Sequence, residues 1–247
     1  MSDLAGPYQH IIDQLERYFP ETTAVCPYGL AGPAVYRAAG VERIPAELMG
    51  VLLAAGFRRN GKTIYTMNCP GCQACRPIRL LPEQFRPNRS QRRTLKNNRD
   101  IVVECGPIAS TKEKLALLEK FFHHRYPGRH NNAHDYYSGF FLSNSGFSLE
   151  ATYRLHGELV GTAIIDVGST WMNAVYFFFD PDQADRSLGT FNILQLIELG
   201  RQHGLAELYL GYWIAEVKAM RYKAAFLPHQ LLHQGHWQTV NSRPNNI

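Results

Sequence analysis

Three cysteines stand at two-residue spacing in Cys69-Pro70-Gly71-Cys72-Gln73-Ala74-Cys75, and a fourth, Cys26, sits in Val25-Cys26-Pro27-Tyr28. Thiolates spaced in this way can converge on one metal centre, which makes Cys26, Cys69, Cys72 and Cys75 candidate ligands of an iron-sulfur cluster or zinc. The other reading is a set of half-buried thiols under a tight turn. Cys105, isolated after Val102 and Val103, reads as a core residue. A second constellation runs from Arg86 to Arg99, where Arg86, Arg89, Arg92, Arg93, Lys96 and Arg99 alternate with Asn, Gln, Ser and Thr and no acid intervenes. Guanidinium forks and amide donors suit phosphate oxygens, so the segment is expected to contact nucleic acid; a solvated basic face is the alternative.

A third constellation is Phe179-Asp180-Pro181-Asp182, followed by Arg186-Ser187-Leu188-Gly189-Thr190-Phe191. It joins a predicted strand to a predicted helix N-terminus, where free N–H groups and the helix dipole favour an anion near Ser187 and Gly189. The Arg-x-x-Gly stretch resembles the phosphate loop of GNAT-type acyltransferases, but Phe191 stands where that motif has Gly or Ala. Coenzyme A is therefore not expected, and an ordinary helix cap also fits. His123, His124, His130 and His134 read as surface or structural residues, since no His-x-x-x-His with a following carboxylate completes a metal site.

These residues need elements to position them. Tyr8, Ile11, Ile12, Leu15 and Phe19 recur at helical spacing, and so do Leu48, Val51, Leu52 and Ala55 between Pro45 and Gly56. Asn60-Gly61 between two strand-like runs predicts a hairpin. Ser110 and Glu113 form a capping-box pair ahead of Leu115, Leu118, Phe121 and Phe122, so a helix is predicted from about residue 111. Alternation then predicts an antiparallel meander over 147–155, 159–166 and 171–179, a helix over 190–203 closed by Gly204, a strand over 205–210 and a final helix. The aromatic runs Tyr176-Phe177-Phe178-Phe179 and Tyr209, Tyr212, Trp213 read as core. The expected fold is α+β, with a boundary near 105 dividing residues 1–105 from residues 106–247.

Of 247 residues, 45% are hydrophobic and 19% charged, the balance of a chain that buries a core rather than a disordered one. Five cysteines are too few and too clustered for a secreted disulfide framework. No apolar run approaches the roughly 18 residues a membrane span needs, and the first residues lack a basic and an apolar leader region, so a cytoplasmic protein without membrane contact is expected. The net charge of +5 is mild, so where the charge sits matters more than its sum.

Seven ordered blocks resemble the aminoacyl-tRNA-protein transferases of the N-end rule in their short bacterial form. They are Cys26-Pro27-Tyr28, Gly56 to Gly61, Cys69 to Arg79, Phe85 to Asp100, Phe179 to Phe191, Tyr209 to Ile214, and Met220-Arg221-Tyr222-Lys223. The chain departs from the family at Gly29-Leu30-Ala31-Gly32, which replaces a Leu-Pro-Gly-Arg-like turn, and at Gly29, where eukaryotic relatives carry a second cysteine. The resemblance implies a cysteine-bearing N-terminal domain and a GNAT-like C-terminal domain that takes its acyl group from charged tRNA instead of coenzyme A. It also implies the reaction: leucine moves from leucyl-tRNA to the α-amine of proteins beginning with Asp or Glu, marking them for N-end rule degradation.

The aminoacyl ester is already activated and an N-terminal amine, with a pKa of about 7.7 to 8.0, is substantially neutral at cytoplasmic pH, so positioning matters more than a general base. An acidic N-terminus needs cations to grip its carboxylate, and the candidates are Arg76, Arg79, Arg186 and Lys223. Arg86, Arg89, Arg92, Arg93, Lys96, Arg99, Ser187 and Gly189 are the expected tRNA contacts. The apolar surroundings of 171–213 favour leucine over an arginyl donor, although Asp166, Asp180, Asp182 and Glu216 lie near in sequence. A non-enzymatic RNA-binding module would leave the second half unexplained. An acetyl-coenzyme A N-acetyltransferase conflicts with Phe191 and with the basic segment.

Overall fold

The computed structural model describes residues 9–128, 131–142 and 146–242; Tyr8 and His130, named above, lie outside the described residues. After the short helix α1 (Gln9–Leu15) come β1 (Glu21–Val25), β2 (Pro33–Gly40), α2 (Ala46–Ala54), β3 (Arg58–Asn60) and β4 (Thr63–Met67). The four strands form an antiparallel sheet in the order β1-β2-β4-β3. The hairpin expected at Asn60-Gly61 turns one residue later: Asn60 pairs with Thr63, leaving Gly61-Lys62 as the loop. Gly61 takes φ +61°, and a Cβ there would lie 2.7 Å from the Gly139 carbonyl oxygen, so the tight turn and the close backbone both require glycine. In this register Arg59 pairs with Ile64 and both are buried.

The chain continues through β5 (Arg76–Leu80), α3 (Arg89–Asn97), β6 (Ile101–Pro107), α4 (Lys112–Arg125) and α5 (Ala133–Tyr136), which runs into a π turn at Tyr137–Phe141. The meander follows as β7 (Ser148–Leu155), β8 (Glu158–Val167) and β9 (Trp171–Phe179). Then come α6 (Leu188–Gln202), β10 (Glu207–Trp213), α7 (Lys218–Arg221) with a 3₁₀ turn at Tyr222–Ala225, β11 (His229–His233) and β12 (His236–Val240). The strands from β5 onward make one eight-stranded sheet in the order β12-β11-β5-β10-β9-β8-β7-β6, antiparallel except where β9 meets β10. The fold is mixed α and β, and residue 105 falls inside β6, an edge strand of the continuous sheet. That edge position exposes Cys105 and Val102, correcting the core reading of Cys105. The α4 cap is also displaced: the Thr111 side chain accepts from the Lys114 N–H, while the Glu113 carboxylate is held by Arg154 at 2.7 and 2.9 Å.

α6 packs Leu188, Phe191, Ile193, Leu194, Leu196 and Ile197 against sheet residues including Ile78, Ala163, Ile165 and Leu208. From β8, Ile164 joins a different cluster with Leu118, Phe121 and Phe122 of α4 and with Tyr137 and Phe141, as strand alternation dictates. A third cluster joins the two sheets, with Met49, Leu52, Leu53, Phe57 and Ile64 against Phe147, Trp171 and Tyr209.

A buried ion pair fixes that junction. Arg59 donates to Asp166 through Nε at 2.8 Å and Nη2 at 2.6 Å, with side-chain exposures of 3% and 0%. Ser148 Oγ donates to Asp166 at 2.6 Å, and Arg59 Nη1 donates to the Gly61 carbonyl, so both charges are surrounded by hydrogen bonds. Removing one partner of such a pair strands the other charge. Asp166→Ala is expected to cost about 3–5 kcal/mol of stability, measured by urea unfolding beside the parent chain.

Candidate active site

β9 and β10 are parallel neighbours for three residue pairs only, Trp171 to Asn173 against Glu207 to Tyr209. Both strands run on beyond that, β9 to Phe179 and β10 to Trp213, without pairing to each other. On its other side β10 is irregular, shifting register against β5 between Tyr209 and Tyr212, where Gly211 adopts φ +83°. Past Asn173, Ala174 to Phe177 are half-buried rather than buried. The sheet is therefore open at the carboxyl ends of its two parallel strands, the position at which open α/β sheets bind ligands.

Two cations meet the carboxyl end of β10, where it is paired to β5 but not to β9. Arg58, from β3, donates from Nη2 to the Gly211 carbonyl at 2.6 Å, and its guanidinium lies 5.5 Å from the centre of the Tyr212 ring and 5.9 Å from that of Tyr209. Lys223, from the 3₁₀ turn, donates from Nζ to the Tyr212 carbonyl at 2.8 Å. Arg58 is 4% exposed, and its Nε and Nη1 are buried without a hydrogen-bond partner. Burial lowers the proton affinity of both groups, and burial followed by repulsion from Arg58 brings Lys223 down to about 7. Tyr65 packs edge-on against Tyr212 at 6.2 Å, and burial raises both hydroxyls above the ordinary tyrosine value. Across the opening, Tyr176 packs against Tyr136, Phe121 and Phe141, giving an aromatic wall.

A cleft of about 610 Å³ adjoins Tyr212, lined also by Gly56, Asn68, Cys69, Cys75 and Arg76. The Cys69 sulfur accepts from the Val35 N–H at 3.3 Å, tying the cysteine loop to β2. Burial first, then the neighbouring Cys69, Cys72 and Cys26, raise Cys75 to about 12, so its thiol is held protonated. Among the described residues, no three His, Cys, Asp or Glu side chains are arranged to hold a metal ion. The cysteines as placed thus gather around Cys75 without forming a ligand set for an iron-sulfur cluster or zinc, and no chemical step is assigned to one.

The six basic residues expected to contact tRNA share one exposed region. Arg89, Arg92, Arg93 and Lys96 lie on α3, with Arg86 before it and Arg99 after it, and none is ion-paired with an acid among the described residues. Apolar spacing predicts no helix over this stretch. Asn88 caps α3 by accepting from the Gln91 N–H while the Gln91 side chain accepts from the Asn88 N–H, so the capping box was legible there. Asn98 and Arg186 join α3 to the start of α6: Asn98 Nδ2 donates to the Arg186 carbonyl at 2.8 Å, and Arg186 grips Asp100 at 2.8 and 3.0 Å. Ser187, in the left-handed region at φ 54°, and Gly189 thereby adjoin the basic face.

Of the four candidate carboxylate grips, Arg186 is engaged by Asp100, and Arg79 by Glu207, Gln230 and the Trp237 ring. Arg76 lines the cleft with Nε buried and unpartnered, while Lys223 sits beside Arg58 at the strand opening. Arg58 was missed. Its signal was a pair of adjacent arginines in a strand between Phe57 and the hairpin turn, where alternation sends the two side chains to opposite faces.

The molecule is thus of a mixed α/β class whose large sheet opens between parallel strands, with an exposed basic helix docked beside it. The family model described as "Arginine-tRNA-protein transferase, N terminus" matches residues 24–93, and that described as "Arginine-tRNA-protein transferase, C terminus" matches residues 113–233. A protein named aspartate/glutamate leucyltransferase from Chromobacterium violaceum is 38% identical over 88% of this chain and 93% of its own length. One of the same name from Aeromonas hydrophila is 38% identical over 85% and 86% respectively. One from Thiobacillus denitrificans is 40% identical over 78% and 81%. The chain belongs to this arginine-tRNA-protein transferase family.

Lys223 gives the site a measurable pH signature. Its ordinary value is 10.5 and the folded chain holds it near 7, so between those values the unfolded chain binds a proton that the folded chain does not. Stability contributed by this group therefore rises as pH increases from 7 towards 10. Relative to Lys223→Met, the parent chain is expected to gain on the order of 1–3 kcal/mol between pH 7 and 9, read from paired denaturant titrations.

Proposed function

We propose that this chain transfers leucine from leucyl-tRNA to the α-amine of proteins that begin with Asp or Glu, as a cytoplasmic step marking them for N-end rule degradation. In this reading the opening between β9 and β10 is a GNAT-like acyl-transfer site that takes charged tRNA in place of coenzyme A. The small sheet and its cysteine loops form the N-terminal domain. Membership of the family and the names of the relatives support the reaction class. Among the described residues no helix is long and apolar enough to cross a membrane.

The observation that carries the choice of donor is the state of the nearby acids. Asp166 is neutralised by Arg59, and Asp180 and Asp182 are held by Lys120 at 2.6 and 2.7 Å, while Glu216 is exposed. An arginyl guanidinium would find no free buried carboxylate there, whereas a leucyl side chain suits the aromatic wall of Tyr136, Phe141 and Tyr176.

The amine nitrogen attacks the ester carbonyl, the carbon–oxygen bond to the terminal ribose breaks, and the proton lost by the amine ends on the released tRNA hydroxyl, directly or through water. Backbone N–H groups along the unpaired edges of β9 and β10 would stabilise the oxyanion, and rate arises mainly from holding amine and ester together. α3, with the loop at Ser187 and Gly189, presents the phosphate-binding face.

Competing leucyl-tRNA against arginyl-tRNA on an Asp-initiated peptide is expected to give mainly the leucyl product by mass spectrometry; predominant arginine addition would overturn the donor assignment. Replacing Arg92 and Arg93 together by Ala should weaken tRNA binding and reduce the salt-dependence slope by about 1.4 to 1.8. Unchanged tRNA affinity would remove α3 from the interface.

A further inference from the structure

We propose that Arg58 and Lys223 together form the receptor for the side-chain carboxylate of the incoming N-terminal Asp or Glu. This rests on the transfer reaction above and names the residues that give it its acidic specificity.

Among the described residues Arg58 is a buried cation without an acid partner, and Lys223 beside it also lacks one. Arg59 has Asp166, Lys114 has Glu150, Arg79 has Glu207 and Arg186 has Asp100. Arg58 and Lys223 have only main-chain carbonyls, and neither is paired with an acid among the described residues. An unpaired buried charge such as Arg58 is among the costliest arrangements in a fold, and half-buried Lys223 lies close enough for the two to repel. Among the described residues the Arg58 Nε and Nη1 donors have no acceptor, which leaves two guanidinium N–H groups for the oxygens of a ligand.

Chemistry limits which anion fits. The rings of Tyr212 and Tyr209 stand 5.5 and 5.9 Å from the Arg58 guanidinium, Tyr65 lies edge-on to Tyr212, and Lys223 Nζ lies 3.6 Å from where a Cβ on Gly211 would stand. Two free guanidinium donors match the two oxygens of a carboxylate. The phosphates of tRNA are matched instead by the exposed cations of α3. An amide of the same size would not offset the two charges, which gives discrimination of Asp from Asn and of Glu from Gln a physical basis.

The test compares kcat/KM for Asp-, Glu-, Asn- and Gln-initiated peptides with charged tRNA in the parent chain, Lys223→Met, Arg58→Gln and Arg58→Lys. Thermal melting, tRNA affinity and peptide anisotropy without tRNA accompany it. In Lys223→Met and Arg58→Gln the acid-over-amide preference should fall about tenfold or more, mainly through KM for acidic peptides. tRNA affinity should be unchanged; the melting temperature should be equal or higher in Arg58→Gln, because a lone buried charge has gone, and near the parent's at pH 7 in Lys223→Met. Arg58→Lys should restore part of the preference. Equal losses on acid and amide peptides, or a lower melting temperature with the preference intact, would overturn the assignment. A parent chain that transfers nothing would overturn the proposed reaction instead. The receptor is then judged by anisotropy: a preference for Asp over Asn peptides that both variants abolish supports it, and no preference overturns it.

Discussion

Arg59 reaches from the small sheet into the large one and closes a two-pronged ion pair on Asp166 in β8, with Ser148 and the Gly61 carbonyl completing the hydrogen bonds. With both charges out of water and mutually satisfied, β3 cannot slide along the large sheet without breaking several bonds. The adjacent residue inherits that precision. Arg58 is delivered to Gly211 of β10 because Arg59 is fixed on β8, so one anchored arginine positions the guanidinium beside it. The first is neutralised by the protein's own carboxylate and the second is left without one.

The rest of the site follows from how the large sheet ends. A parallel pair of strands needs a crossover, here supplied by α6, and the ladder between them stops at Asn173 and Tyr209. The irregular backbone at Gly211 then turns two β10 carbonyls to Arg58 and Lys223. Two kinds of cationic surface result. On α3 the charges are exposed and hydrated, suited to many weak phosphate contacts that salt screens. At the strand opening Arg58 is dry and Lys223 half-buried, so each interaction counts for more and depends on a matching charge.

Much of the scaffold was legible from periodicity: the β7-β8-β9 meander, α2, α4, α6 and the Asn60-Gly61 region all announce themselves by spacing and turn chemistry. Less was legible where tertiary contacts override local pattern. Thr111 rather than Ser110 caps α4 because Glu113 is drawn away by Arg154, and Cys105 is exposed because β6 became an edge. The basic run from Arg86 to Arg99 was read for its charge, yet its helix followed from the Asn88 and Gln91 box. Among the site residues Lys223 was nameable from sequence. Arg58 was not, since two neighbouring arginines look alike until one finds an aspartate more than a hundred positions away.

β5 has a consequence for how the protein comes into being. It lies between β10 and β11, so a strand made early waits for partners about 130 to 150 positions downstream, as in the pairs Leu208 with Leu80 and Gln230 with Arg79. The Arg58 bond to Gly211 spans 153 positions. Such closures are slow because chain entropy is lost before contacts form. Until synthesis has passed Lys223, the Gly56 to Gly61 segment has neither strand opening nor second cation to work with. A copy terminated before β10 therefore lacks the partners of both Arg58 and β5, and β5 is an unpaired edge vulnerable to misassociation for as long as its neighbours are missing.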